Sequence, residues 1–262
     1  MDAMGGSLCS KWIACAVLVT GLTAAGCAAE ETSDEVDSSS DAVISGTETF
    51  ERPEVGIVWH GGGLCTGTLI RPNVVLTAAH CVTGLPKDED ATHADPPYAF
   101  EIRSAADKSQ RFPVVRVHSV LAEADFDGSQ AWRKQDIALL RLASNVPTTL
   151  ARPAAVAHSW PAVGASVALF GYGCTSRTPG ANGRRPGSGT KRTMERTWTL
   201  GAAFGWTTSN NVCPGDSGGP LLDQGRSAVI GTNSGYVGTS DHFGDVPANH
   251  VAVEAIADRW LK

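Results

Sequence analysis

Gly215-Asp216-Ser217-Gly218-Gly219-Pro220 surrounds one hydroxyl with three glycines and closes on a proline. Glycine takes backbone dihedrals that a side chain forbids, so the main chain here can approach a substrate closely. The N–H groups of Gly215 and Ser217 can then converge on a developing oxyanion. Taken alone, Gly-Asp-Ser-Gly is also ordinary turn composition. Ser217 becomes a nucleophile only if a second group accepts its proton.

That group is supplied by Leu76-Thr77-Ala78-Ala79-His80-Cys81. The apolar run Val74-Val75-Leu76 reads as a buried strand, and it delivers His80 among small residues that leave its imidazole free to reach a cleft. A third group must orient the ring and stabilise its charged form, which calls for a carboxylate among apolar neighbours. In Gln135-Asp136-Ile137-Ala138-Leu139-Leu140-Arg141-Leu142, a single acid heads an apolar strand. Asp136 fits the role.

With these three motifs in the order histidine, aspartate, serine, the sequence from Val43 to its end resembles the trypsin/chymotrypsin-like serine endopeptidases. The resemblance implies His80 as general base, Asp136 as its orienter, Ser217 as nucleophile, and the amides of Gly215 and Ser217 as the oxyanion hole. It also gives Asp216 a part in activation. Val43-Ile44-Ser45-Gly46 is similar to the segment exposed when such precursors are cut, here after Ala42. The new α-amino group of Val43 would then pair with Asp216, a buried carboxylate that needs a counter-charge.

The residues before Val43 read as removable. Lys11 precedes an apolar stretch from Trp12 to Val19, and residues 1–27 have the pattern of a signal peptide, too short to span a membrane as a permanent helix. Ala25-Gly26-Cys27 resembles the end of a bacterial lipoprotein signal, although Ala24 stands where leucine is favoured. Two readings stay open: lipidation of Cys27 with anchoring to the outer surface, or ordinary signal cleavage nearby and secretion. Residues 28–42 hold six acids and no base, the composition of a disordered tether. Seven of the 27 acids and one of the 21 bases precede Val43, so the remaining 220 residues carry 20 of each. The net charge of −6 therefore belongs to the removable part and points to no charged partner.

For residues 43–262 the expectation is an all-β domain. Short Gly- or Pro-bounded runs read as strands: Val55–Trp59, Thr68–Ile70, Val114–Val117, Ile137–Leu142, Ser166–Phe170 and Ala228–Thr232. Residues 251–261 read as a terminal helix. The resemblance implies two packed six-stranded antiparallel β-barrels with the catalytic cleft between them.

Of seven cysteines, Cys9 and Cys15 fall in the signal segment and Cys27 is the lipidation candidate. The remaining four allow three pairings. Cys65–Cys81 matches a bridge of the family, which leaves Cys174 and Cys213 to each other, a departure from the commonest family pattern. The loop Thr175–Thr193, with Arg177, Arg184, Arg185, Lys191 and Arg192, is either a basic patch or, as preferred here, a mobile surface loop. Asp88-Glu89-Asp90 with His93 and Asp95 reads as a solvated acidic loop and not a calcium site.

In the family, the residue six before the serine floors the primary pocket. Asn211 stands there, and an amide cannot neutralise a buried cation, so an uncharged residue is expected before the cleaved bond. Asp245 is the alternative, a carboxylate that could enter the pocket and favour a basic residue. Ser234 is assigned both to the pocket and to the support of Asp136. The sequence thus reads as a monomeric secreted endopeptidase acting on proteins or peptides, with no cofactor, no metal and no nucleic-acid partner. A surface-displayed binding protein on a protease scaffold is the alternative. An α/β-hydrolase would need the serine first in chain order.

Overall fold

A computed structural model describes residues 43–83, 89–95, 97–103, 109–119, 135–200, 205–207, 211–223, 225, 228–238 and 240–262. The signal peptide, Cys27, the acidic tether and Asp88 lie outside the described residues. The elements run β1 Thr47–Glu48, β2 Val55–His60, β3 Gly63–Arg71, β4 Val74–Thr77, β5 Glu89–Asp90, β6 Ala99–Arg103, β7 Ser109–Ser119 and β8 Ala138–Leu142. They continue with β9 Ala155–Val156, β10 Ser166–Gly171, β11 Arg192–Leu200, β12 Gly205–Thr207, β13 Pro220–Asp223, β14 Ala228–Val237, β15 Ser240–Asp245 and the helix α1 Val246–Arg259.

Two rings of six strands result. In the first, the order β7-β6-β2-β3-β4-β8 closes because β8 also pairs with β7, and β5 hangs on the outside of β7. In the second, β11-β10-β13-β14-β15-β12 closes through β12 on β11, with β1 and β9 appended. The expected pair of six-stranded barrels is present.

Side-chain alternation along a strand explains why several runs are apolar throughout. On β4, Val75 points into the core of the first barrel with Val58, Leu69 and Phe100. Its neighbours Val74 and Leu76 face the opposite way, into a second cluster with Phe170, Leu222 and Val229 of the other barrel. On β8, Leu140 goes to the first core, and Leu139 to the second cluster. A strand with apolar burial on both faces carries no polar alternation. This shared cluster welds the barrels together and fixes the ends of β4 and β8, where His80 and Asp136 sit. The second barrel has its own core of Val167, Leu169, Trp198, Leu221, Ile230 and Phe243, joined by Val43.

Most strands extend beyond their expected bounds, and α1 starts five residues before Val251. Asp245 is the reason. Its Oδ1 accepts from the N–H of Ala248 at 2.9 Å and caps the helix, with Pro247 in the first turn, where a missing N–H costs nothing. Val253, Ala257 and Trp260 then lay the helix onto the inter-barrel cluster.

Candidate active site

Ala79–Val82, a 3-10 turn directly after β4, carries His80. Asp136 immediately precedes the apolar run into β8 and is fully buried. Its Oδ1 accepts the backbone N–H of His80 at 2.9 Å, and its Oδ2 lies 2.7 Å from His80 Nδ1. Main chain and ring of the histidine are thus both registered on one carboxylate. The Nδ1 bond fixes the orientation of the ring, whose Nε2 lies 3.9 Å from Cys81 Sγ. Ser234 Oγ donates to the same Oδ2 at 2.5 Å, and Thr232 Oγ1 donates to the Asp136 carbonyl at 3.0 Å. A buried carboxylate is costly unless hydrogen-bonded, and this one has side-chain or backbone donors from both barrels.

The turn that carries Ser217 is set beside Ser234, a partner of Asp136, by backbone bonds. Gly218 N–H donates to Asn233 O at 2.7 Å and Asn233 N–H to Gly219 O at 2.8 Å, so the serine turn is clamped to the residue beside Ser234. The glycines are required sterically. Gly215 has φ 104° and Gly218 φ 78°, and a Cβ on Gly218 would lie 2.1 Å from Thr77 Oγ1. Among the described residues, no backbone acceptor takes the N–H of Gly215 or of Ser217, the free state an anion-binding pair requires.

Asp216 points away from the cleft into the interior and is 1% exposed. Oδ1 accepts from Gly173 N–H at 2.7 Å and Oδ2 from Cys213 N–H at 2.9 Å. Burial pushes its pKa up to about 7 against these two hydrogen bonds, with the nearby charge of Asp241 adding to the rise. Sequence reasoning missed how the carboxylate is housed. A Cβ on Gly171 or Gly173 would come within 2.0 Å or 2.5 Å of it, so the Gly-Tyr-Gly at the end of β10 is a slot for Asp216. Paired glycines at a strand end are the signal that could have revealed it. Val43 is buried in the second core, and Ile44 N–H donates to Asn211 O at 2.7 Å.

The residues expected at the substrate pocket are all hydrogen-bonded. Asn211 does not present a free amide: its Nδ2 donates to Ile44 O at 2.7 Å, and its Oδ1 accepts from Arg196 Nη2 at 2.6 Å. Asp245, the alternative pocket carboxylate, caps α1 through its Oδ1, which also accepts from Trp160 Nε1 at 2.9 Å. The carboxylate beside Asn211 is Asp241 instead, fully buried. It accepts from Asn211 N–H at 3.1 Å and from Val212 N–H at 3.2 Å. Four residues of register separate the two acids, and the bulge of β14 against β15 between Asn233 and Gly235 hides that offset from a sequence reader.

Disulfides join Cys65 to Cys81 and Cys174 to Cys213. Cys65, His80 and Cys81 cluster in space, but the two bridged sulfurs offer no thiolate to a metal. Asp90 caps the turn Ala91–His93 through Thr92 N–H at 2.9 Å. Among the described residues, no helix is long and apolar enough to cross a membrane.

Comparisons with known proteins bear on the family and the fold. A family model described as Trypsin matches residues 43–258. Melanization protease 1 of Drosophila melanogaster is 27% identical over 242 residues, covering 79% of this chain and 60% of that protein. Chymotrypsin-like elastase family member 1 of Felis catus is 29% identical over 219 residues, with 73% and 78% covered. The solved structure of neuropsin from mouse brain superposes with a TM-score of 0.63 at 19% identity, over 81% of this chain and 99% of that one, a likeness of fold.

Proposed function

The chain belongs to the trypsin family of serine proteases, and from that premise we propose that it is an exported serine endopeptidase, made as a single chain and activated by cleavage between Ala42 and Val43. His80 takes the proton of Ser217 as its Oγ attacks the peptide carbonyl. The amides of Gly215 and Ser217 stabilise the oxyanion, and Asp136 stabilises the imidazolium. Collapse of the intermediate breaks the C–N bond, with His80 giving its proton to the leaving amine. Water, deprotonated by the same histidine, then hydrolyses the acyl-enzyme. The observation that carries this reading is the Asp136 carboxylate, which serves His80 N–H, His80 Nδ1 and Ser234 Oγ at once.

Activation follows from Asp216, a buried carboxylate whose hydrogen-bond partners among the described residues are two neutral N–H groups. An amine freed at Val43, whose side chain already sits in the second core, would supply the missing charge. For the residue preceding the cleaved bond, the reading favours an uncharged side chain. Asn211 is committed to Ile44 and Arg196, and Asp241 is fully buried against backbone N–H groups. Protein beginning at Val43, incubated with a peptide library and read by mass spectrometry, tests both points. Cuts after uncharged residues support the pocket assignment, cuts mainly after Lys or Arg give Asp241 that role, and an uncut library overturns the proposal.

A further inference from the structure

Beside the serine turn lies a cavity of about 1090 Å³ that the mechanism does not use. Pro214 and Gly215 form its floor, Trp59 and Leu64 one wall, and the loop from Gly180 to Ser188 the other. Among the described residues lining it, Arg184 and Arg185 carry the only charges. Neither has an acidic partner among the described residues. The Nε of Arg185 is spent on Arg177 O at 3.1 Å, which leaves its two Nη groups for other acceptors.

The loop that presents them is closed by backbone hydrogen bonds. Gly180 N–H donates to Arg184 O at 2.8 Å and Gly183 N–H to Gly180 O at 2.9 Å, closing a tight reverse turn. Thr175 N–H donates to Pro186 O at 2.8 Å and Gly189 N–H to Tyr172 O at 2.8 Å, which fasten both ends. The Cys174–Cys213 bridge ties the base of the loop to the residue before Pro214. The arginines are therefore held at a fixed offset from Gly215.

Direction along a bound peptide follows from His80, which in the proposed reaction hands a proton to the leaving amine. Leu64 of the groove packs at Gly215, where a Cβ would lie 2.8 Å from its Cδ1, and it adjoins Cys65, whose bridge to Cys81 sets it beside His80. The cavity thus receives the part of the substrate that follows the cleaved bond. An arginine fork binds carboxylate bidentately, and a groove lined by one sign of charge concentrates ligands of the other.

We propose that Arg184 and Arg185 make this groove a subsite for acidic side chains at the second and third positions after the cleaved bond, so that the protein selects peptides with Asp or Glu there. The inference rests on Ser217 being the nucleophile. It is specific to this loop, since no other charged residue among those described lines the groove.

The test uses matched fluorogenic peptides that differ only at those two positions, cleaved by protein beginning at Val43. Acidic peptides should have kcat/KM about 2–30-fold above alanine peptides, the range of two partly exposed ion pairs, and lysine peptides should fall below alanine. The advantage should shrink in 1 M salt, where the Debye length is ~3 Å. Arg184→Ala with Arg185→Ala should erase it without changing alanine-peptide cleavage, and Arg184→Glu with Arg185→Glu should reverse it toward lysine. Efficient cleavage of all peptides with no acidic preference, or a preference that survives both double variants, overturns the subsite alone. Failure to cleave any of them overturns the nucleophile reading along with it.

Discussion

Thr66, on β3 of the first barrel, donates its backbone N–H to the carbonyl of Ser217 at 2.8 Å. Its side chain works on the same turn: Oγ1 donates to Gly215 O at 2.8 Å and accepts from Tyr172 N–H at 3.0 Å. One fully buried threonine therefore holds both ends of the oxyanion segment and the glycine slot of Asp216 in register with the first barrel. Nothing in the sequence marked it, because threonine is an ordinary residue of β-strands.

Thr66→Val keeps the shape and the N–H but removes the hydroxyl, leaving Gly215 O and Tyr172 N–H without that partner. A buried group stripped of its hydrogen bond costs about 1–3 kcal/mol. The expected result is a lower urea midpoint and a fall of about tenfold in kcat/KM, mostly in kcat, since the oxyanion turn is what loosens. Unchanged kinetics would mean that Gly215 is held in place without the hydroxyl.

Asp216 gives the uncleaved chain a pH signature. Its folded pKa of about 7 lies above the ordinary 3.8, because burial disfavours the charge. A raised folded value means that the folded state binds the proton more tightly than the unfolded state. That contribution to stability is complete below about pH 3.8 and is lost as pH rises through about 7. Single-chain protein should therefore weaken between about pH 4 and 7, and Asp216→Asn should remove most of that dependence in urea titrations. After the cut, an amine paired with Asp216 lowers its pKa and the same dependence should disappear. In cleaved protein, Asp216→Asn should cost more than 100-fold in activity, because a positive group is then buried without its partner.

Ser234 acts through Asp136. Its Oγ–Oδ2 bond of 2.5 Å fixes the carboxylate that fixes His80, so Ser234→Ala should lower kcat by about tenfold, the scale of one charge-assisted hydrogen bond, with KM little changed. Ser234→Thr, which restores a hydroxyl, should recover much of the loss. A matched fall with the threonine variant would identify a packing role instead.

The parts of the molecule that a reader could find in the sequence are those where one constraint acts. Val74-Val75-Leu76 and Ile137–Leu142 are buried on both faces, so their hydrophobicity is continuous and their placement before and after the catalytic candidates was legible. β11 was not, because its inward face, Arg192, Met194, Arg196 and Trp198, mixes arginines with apolar residues: Arg192 reaches Glu48 Oε1, and Met194 packs inside. The helix start was hidden by Pro247 and by an aspartate, Asp245, that looked like pocket chemistry and is a cap. Asp241 was invisible for the converse reason. Its carboxylate matters through backbone N–H groups thirty residues away, a relation that only the closure of the second barrel creates.

The central claim, that Ser217 is a nucleophile released by a cut before Val43, is tested most directly by fluorophosphonate labelling read by peptide mass spectrometry. Full-length protein, protein beginning at Val43 and its Ser217→Ala variant are treated side by side, with N-terminal sequencing to confirm each start. The account predicts one adduct, on Ser217, forming rapidly in the protein that begins at Val43, at least ten times more slowly in the uncut chain, and not at all in the variant. Folded protein beginning at Val43 that takes no label on Ser217 would contradict it.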